Sequence, residues 1–176
     1  KDMRRPSNHE CDPYYTTYIE QVEGDDFLKV LIRSKDKTSK LLENIEPGRW
    51  DHRYAPGKWT VKELLIHMID TERIFAYRAL RIARNDKTPM AGFDQDEYVP
   101  TSGATDRSPA SIINEYLAVR GATIELFKNF TDEMYARSGM ASDRPFTPLA
   151  LGFITAGHEI HHLRLLSEKY EIEVAG

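Results

Sequence analysis

Four segments of this 176-residue chain carry apolar side chains at the 3- and 4-residue spacing of a helix, and each has a readable start or stop. In the first, Leu28, Leu31, Lys35, Thr38, Leu42 and Ile45 share one face, and Pro47-Gly48 ends it. The second opens on Thr60 and Glu63, spaced for a capping box in which each side chain satisfies the other's backbone N–H, and runs to about Arg84. The third begins at Ser108-Pro109 and the fourth at Thr147-Pro148, each an N-cap followed by proline at the first helical position. The fourth runs to about Tyr170. No segment alternates as a strand should, and "SGMASDRPF" reads as a loop. Four long helices joined by loops predict an all-α four-helix bundle.

The length suits one domain, assigned to residues 24–176. Residues 1–23 read as a polar and aromatic arm whose Tyr14, Tyr15, Tyr18 and Ile19 lie on the body. Residues 85–107 hold two prolines and two glycines and break the periodicity, so a long loop is expected between the second and third helices. Loops of that length in a compact domain are commonly functional.

Charge and cysteine content narrow the function classes. The net charge is −4 and no Lys/Arg cluster exceeds the short "MRRP", so no nucleic-acid partner is expected. No apolar run approaches a membrane span, and the basic start lacks the apolar stretch of a signal peptide. The single cysteine, Cys11, excludes an internal disulfide and points to a reducing, cytoplasmic setting.

Three of the six histidines lie in "AGHEIHHLRLL", residues 156–166. At about 100° per residue, His162 falls about 40° from His158, and Leu151, Ile154 and Leu165 share their stripe. His161 falls about 60° to the other side, at the edge. Two buried imidazoles need partners for four ring nitrogens, more than an apolar stripe supplies. A shared metal ion would satisfy both at once, but a third ligand must then come from another helix. His67, in "LLIHMIDTER", is the one other histidine inside a helical pattern, although its own periodicity places it only at the flank of the apolar arc. His9 and His52 fall in an arm and a turn. A second apolar stripe on the last helix, Leu149, Phe153, Ala156, Ile160 and Leu163, requires further contacts, with a second subunit as one source.

His158-Glu159-x-x-His162 also spells the zinc-peptidase pattern. Only 14 residues follow His162, the later Gly and His of the extended pattern are replaced by Leu165 and Glu168, and no turn would bring a downstream ligand back. A zinc peptidase is therefore the remote alternative.

"PGKWTVKELLIHMIDTERIFAYRALRIAR", "GFDQDEYV" and "AGHEIHHLRLL" together resemble the DinB-like superfamily of metal-binding four-helix bundles, which includes a YfiT-like group of proposed metal-dependent hydrolases. The resemblance covers most of the chain. It implies a His67, His158 and His162 site for a divalent metal, nickel or zinc, that activates water or a low-molecular-weight thiol toward a small-molecule substrate. It places Asp70 at the motif aspartate, as a partner behind the ligands or a handler of a proton. Arg78, about 20° from His67 on the helix wheel, is a candidate anchor for an anionic substrate group. Phe93, Asp94 and Tyr98 are expected in the pocket wall, and Glu159 receives no role. A homodimer is expected, and a non-catalytic metal-binding or stress-linked bundle is the second function class.

Overall fold

The computed structural model describes residues 3–173; the outer ends of the arm and of the domain read from the sequence, residues 1–2 and 174–176, lie outside that range. In chain order the helices are α1 (Thr16–Glu20), α2 (Phe27–Glu43), α3 (Val61–Ala83), α4 (Gln95–Tyr98), α5 (Pro109–Lys128), α6 (Asp132–Ala136) and α7 (Pro148–Glu168). The four long ones, α2, α3, α5 and α7, form the expected bundle. Their starts follow the caps: Asp26 accepts from Lys29 N–H, Ser108 from Ser111 N–H and Thr147 from Ala150 N–H. At α3 both halves of the Thr60–Glu63 capping box are made, at 3.0 and 3.1 Å.

α3 packs on both α5 and α7, and α2 packs chiefly on α5. The core divides into two apolar clusters. One gathers Phe27, Phe75, Ile82, Phe127, Phe146 and Phe153, and the other Trp50, Leu65, Ile69, Ile112, Tyr116 and Leu166. Every long helix passes from one cluster to the other, and at each passage a polar side chain is buried or half-buried. These are Ser34 on α2, Glu72 on α3, Arg120 on α5, and His158, Glu159 and His162 on α7. A polar layer thus crosses the middle of the bundle.

The arm is tied down at several points. Arg5 donates to the carbonyls of Ile19, Val22 and Gly24, and Glu10 accepts from the Thr147 hydroxyl at 3.0 Å. α1 lies against α7. A glycine makes that approach possible, because a Cβ at Gly157 would stand 1.8 Å from the Tyr18 carbonyl oxygen. Likewise the Phe27 ring occupies the space a Cβ at Gly152 would take, 2.3 Å away. The second apolar stripe of α7 is therefore largely covered within the chain: Leu149, Phe153 and Ala156 are buried, and Ile160 and Leu163 are half-buried.

Two features depart from the expectations. "SGMASDRPF" forms a small antiparallel hairpin, β1 (Gly139–Ala141) with β2 (Arg144–Phe146). Its turn residues Ser142 and Asp143 both take positive φ, 51° and 59°, as a tight hairpin turn requires. Ser-Asp is not the Asn-Gly or Asp-Gly signature of such turns, and three-residue strands are too short to show alternation. Cys11, expected in a polar arm, is buried as a free thiol and bridges Phe146 of the hairpin.

Residues 85–107 run back along α3. The segment leaves at Asn85, past the C-terminal end of α3, and by Thr105 its carbonyl accepts from Lys62 Nζ, in the first turn of the same helix. On the way Met90 pairs with Ala141 of the hairpin.

Candidate metal centre

His67 is delivered by α3, and His158 and His162 by successive turns of α7, the pair of helices in closest mutual contact. All three are buried, with exposures of 3, 7 and 7 %. One ligand nitrogen from each lies within 4.8 Å of the other two. The Nε2 atoms of His158 and His162 are 3.1 Å apart. Two nitrogens each about 2.0–2.1 Å from one tetrahedral ion would be separated by about 3.3 Å, so this pair is already spaced for a shared metal. Nδ1 of His162 is buried without a hydrogen-bond partner. The Thr71 hydroxyl lies 3.5 Å from Nδ1 of His67.

The electrostatics suit a cation. Burial pushes His67 down to about 4 and His162 down to about 3, the latter helped by its histidine neighbours. His158 is displaced downward too, by burial first and then by His162 and His67. The three imidazoles are thus neutral at pH 7, the form that binds a metal. The donor set is all nitrogen, which fits zinc or nickel better than calcium or magnesium.

Aromatic rings frame the cluster. Trp59 lies 4.8 Å from His67 between centroids, Tyr18 of the arm 5.4 Å from His158, and Phe75 6.0 Å from His158. His161 sits at the edge, half-exposed, with its ring 5.6 Å from Tyr18. His9 and His52 stand apart, the latter beside Tyr170.

Behind the cluster is a group the sequence reading did not assign. Arg120, fully buried, donates to both carboxylate oxygens of Glu72 at 2.9 Å from Nε and Nη2. It also donates to Glu159 at 3.1 and 3.3 Å, and from Nη1 to the Ser34 hydroxyl at 2.6 Å. One guanidinium on α5 therefore binds α2, α3 and α7. A cavity of about 10 Å³, room for about one water, is lined by Glu72, Glu159 and His158 together with Met68, Phe75, Tyr116 and Thr155. A charged residue on an otherwise apolar helix face, as at Glu72 and Arg120, was the signal available for this group.

The other expected site residues lie apart from the histidines. The charged neighbours of Asp70 are Glu115, Arg73 and Arg107, and burial together with Glu115 raises its carboxyl above the usual range. Arg78, 2 % exposed, sits further along α3 among Tyr15, Phe93, Phe146 and Ser142. Of the expected wall residues, Phe93 and Tyr98 lie in tilted contact with centroids 5.4 Å apart, and the Asp94 side chain caps α4.

Known proteins share this fold. A curated relative, YfiT of Bacillus subtilis strain 168, a proposed metal-dependent hydrolase, is 21 % identical over 154 residues, 85 % of each chain. The solved structure of YfiT, with its unusual four-helix bundle topology, superposes with a TM-score of 0.69 at 19 % identity, covering 97 % of this chain and 95 % of that one. A mycothiol-dependent maleylpyruvate isomerase superposes at 0.65 with 13 % identity, covering 88 % of this chain and 67 % of that one. The DinB superfamily model matches residues 31–166, from α2 through the second and third candidate ligands to the end of α7. The chain belongs to the DinB superfamily.

Proposed function

We propose that this protein is a metal-dependent enzyme of small-molecule chemistry, a hydrolase or a thiol transferase, with His67, His158 and His162 as the ligands of one nickel or zinc ion. The observation that carries this reading is the convergence of three buried, neutral imidazoles to within 4.8 Å. YfiT, a proposed metal-dependent hydrolase, and the mycothiol-dependent isomerase support the two chemistries by likeness of sequence and fold. A divalent ion held by three neutral histidines supplies an open position at which water or a thiol is made a stronger nucleophile.

The chain's own residues do the rest. Thr71 accepts or donates at Nδ1 of His67, fixing which nitrogen faces the cluster. Trp59, Tyr18 and Phe75 exclude bulk water around the imidazoles. Glu159 is held by Arg120 and is not free to act as the base of a peptidase. Asp70 enters the reading as a half-buried carboxyl one turn along α3 from His67 that keeps its proton more tightly than usual.

Elemental analysis of protein purified without added metal tests the core of the reading. One equivalent of nickel or zinc per chain is expected, falling below a tenth of that in His67→Ala, His158→Ala and His162→Ala alike. A metal-free protein with no thermal shift on adding either ion would end it. The hydrolase and transferase branches separate on whether an electrophile is released as its hydrolysis product or as a thiol adduct. A non-catalytic metal-binding bundle would hold the ion and produce neither. The same reading takes the protein as a cytoplasmic homodimer joined through the half-buried Ile160 and Leu163; sedimentation equilibrium of Leu163→Glu checks that part, with a monomer expected.

A further inference from the structure

The bundle contains two deeply buried arginines, and they are neutralised in opposite ways. Arg120 has two carboxylates. Arg78 has none: among the described residues no carboxylate reaches ion-pair distance of its guanidinium, although it is 2 % exposed. From Nη2 it donates to the Ser142 hydroxyl at 3.0 Å and the Ala91 carbonyl at 3.4 Å, and the Tyr15 hydroxyl is a third neutral partner. The Tyr15 hydroxyl faces it, and the rings of Phe93 and Phe146 each lie 5.8 Å from its central carbon. A guanidinium carries five donors in a planar fork, and three neutral oxygens leave its charge without a counter-ion. A neutral donor could tie Ser142 to Ala91 equally well without burying a charge. The unneutralised charge and the remaining donors are the complement of a carboxylate.

The surroundings hold the guanidinium in place. Gly92 lets the loop lie directly on the hairpin, since a Cβ there would stand 2.9 Å from the Ser142 hydroxyl that Arg78 binds. Over the guanidinium lies Phe93, a half-buried ring in a segment whose next five residues are exposed. That segment's own acids do not fill the place, because Asp94 is engaged in capping α4. A row of rings then leads back toward the histidines: Phe146 to Tyr15 at 5.1 Å, Tyr15 to Phe75 at 6.4 Å, Phe75 to His158 at 6.0 Å.

We propose that Arg78 is the docking point for the carboxylate of an elongated small molecule whose reacting end lies at the histidine cluster, with Tyr15 and Phe75 beneath its middle. The inference rests on the metal-site reading for the identity of that reacting end, and on Arg78 alone for the charge of the other. His67 and Arg78 are eleven residues apart on α3, about 16 Å along the axis, with the arginine stem leaning back toward the histidine. The carboxylate therefore belongs to a molecule of peptide-like length, either the thiol co-substrate or the electrophile it meets.

Nitrogen-15 NMR of the full chain, following the Nε–H resonance of Arg78, tests this with and without added zinc. The probes are glutathione, glutathione diethyl ester and adipate. A saturable shift with glutathione or adipate is expected, about tenfold weaker binding with the diester, and loss of the response in Arg78→Gln. Arg78→Lys, which keeps the charge and the fold, is expected to retain weakened binding by calorimetry. Response to glutathione but not adipate assigns the carboxylate to the thiol, and the reverse assigns it to the electrophile. No saturable shift with either acid, or equal binding of the diester, overturns the proposal and leaves Arg78 as a strap between loop and hairpin. A shift that survives in protein unable to bind zinc would uphold the anion site while removing the metal reading, so the two fail separately.

Discussion

Glu159 accepts a hydrogen bond from Arg120 Nη2 at 3.1 Å, although in the sequence it stands between the two histidines His158 and His162. In a zinc peptidase that glutamate must face the reacting water. Here it forms a buried ionic group with Arg120 and Glu72, beside a water-sized cavity that His158 also lines. Glu159→Gln is expected to leave metal content unchanged and to lower stability by about 1–2 kcal/mol in urea unfolding, the worth of a hydrogen bond to a charged group. Arg120→Met strands two buried carboxylates and is expected to cost about 3–5 kcal/mol. Loss of all turnover in Glu159→Gln with stability intact would return the glutamate to a catalytic role.

Thr71→Val removes the hydroxyl beside Nδ1 of His67 while keeping the shape of the side chain. Partners behind a metal-ligating histidine typically contribute about 10- to 100-fold in affinity, and the 3.5 Å separation argues for the lower end, about 10-fold. Competition against a zinc indicator measures this. Unchanged affinity would mean that packing alone orients His67.

The lowered histidine values set the acid stability of metal-free protein. The unfolded chain takes up protons below the ordinary histidine value of 6.5, while folded His67 and His162 resist until about 4 and 3. The unfolded state binds more protons in that window, so stability falls as the pH drops from about 6.5 toward 4 and is fully present above it. Urea midpoints of metal-free protein at pH 7.5 and 5.0 should show the loss, and His67→Gln should reduce it. A flat profile would show that the histidines are more open to solvent than their burial indicates.

Gly157→Ala separates helix propensity from packing. Propensity alone would stabilise α7 by about 1 kcal/mol. The new methyl meets the Tyr18 carbonyl, however, and the arm must move off the helix. A net loss of about 1–3 kcal/mol is expected, the range for overpacking, together with faster proteolysis between residues 13 and 24. A stabilised variant would show that the arm is held by Arg5 and Glu10 rather than by this contact.

The bundle was legible because its signals are local. Caps at Thr60, Ser108 and Thr147 and one-sided apolar spacing each depend on a few neighbouring residues, and the helices begin where these residues say. The pairing of His158 with His162 was legible for the same reason, one turn on one stripe. His67 was not, since its wheel position lies at the flank of its helix and only the approach of α7 buries it; family resemblance supplied what periodicity lacked. The neutralisation of Arg120 joins residues 48 and 39 positions away, on three helices. No local pattern carries such a pairing. The placement of Asp70 beside Glu115 and of Thr71 beside His67 turned on a single residue's rotation about α3, finer than a wheel resolves.

The histidines belong to the long helices, but what surrounds their cleft does not. The arm lies beside them through Tyr18, and the returning segment 85–107, anchored at Met90 and Thr105, runs along α3, which carries His67. Neither contributes a ligand, and neither interrupts a helix. Insertions, deletions or whole replacements in these two stretches can therefore remodel what enters the cleft while the three imidazoles keep their spacing. A scaffold divided in this way can change its customers without rebuilding its workbench.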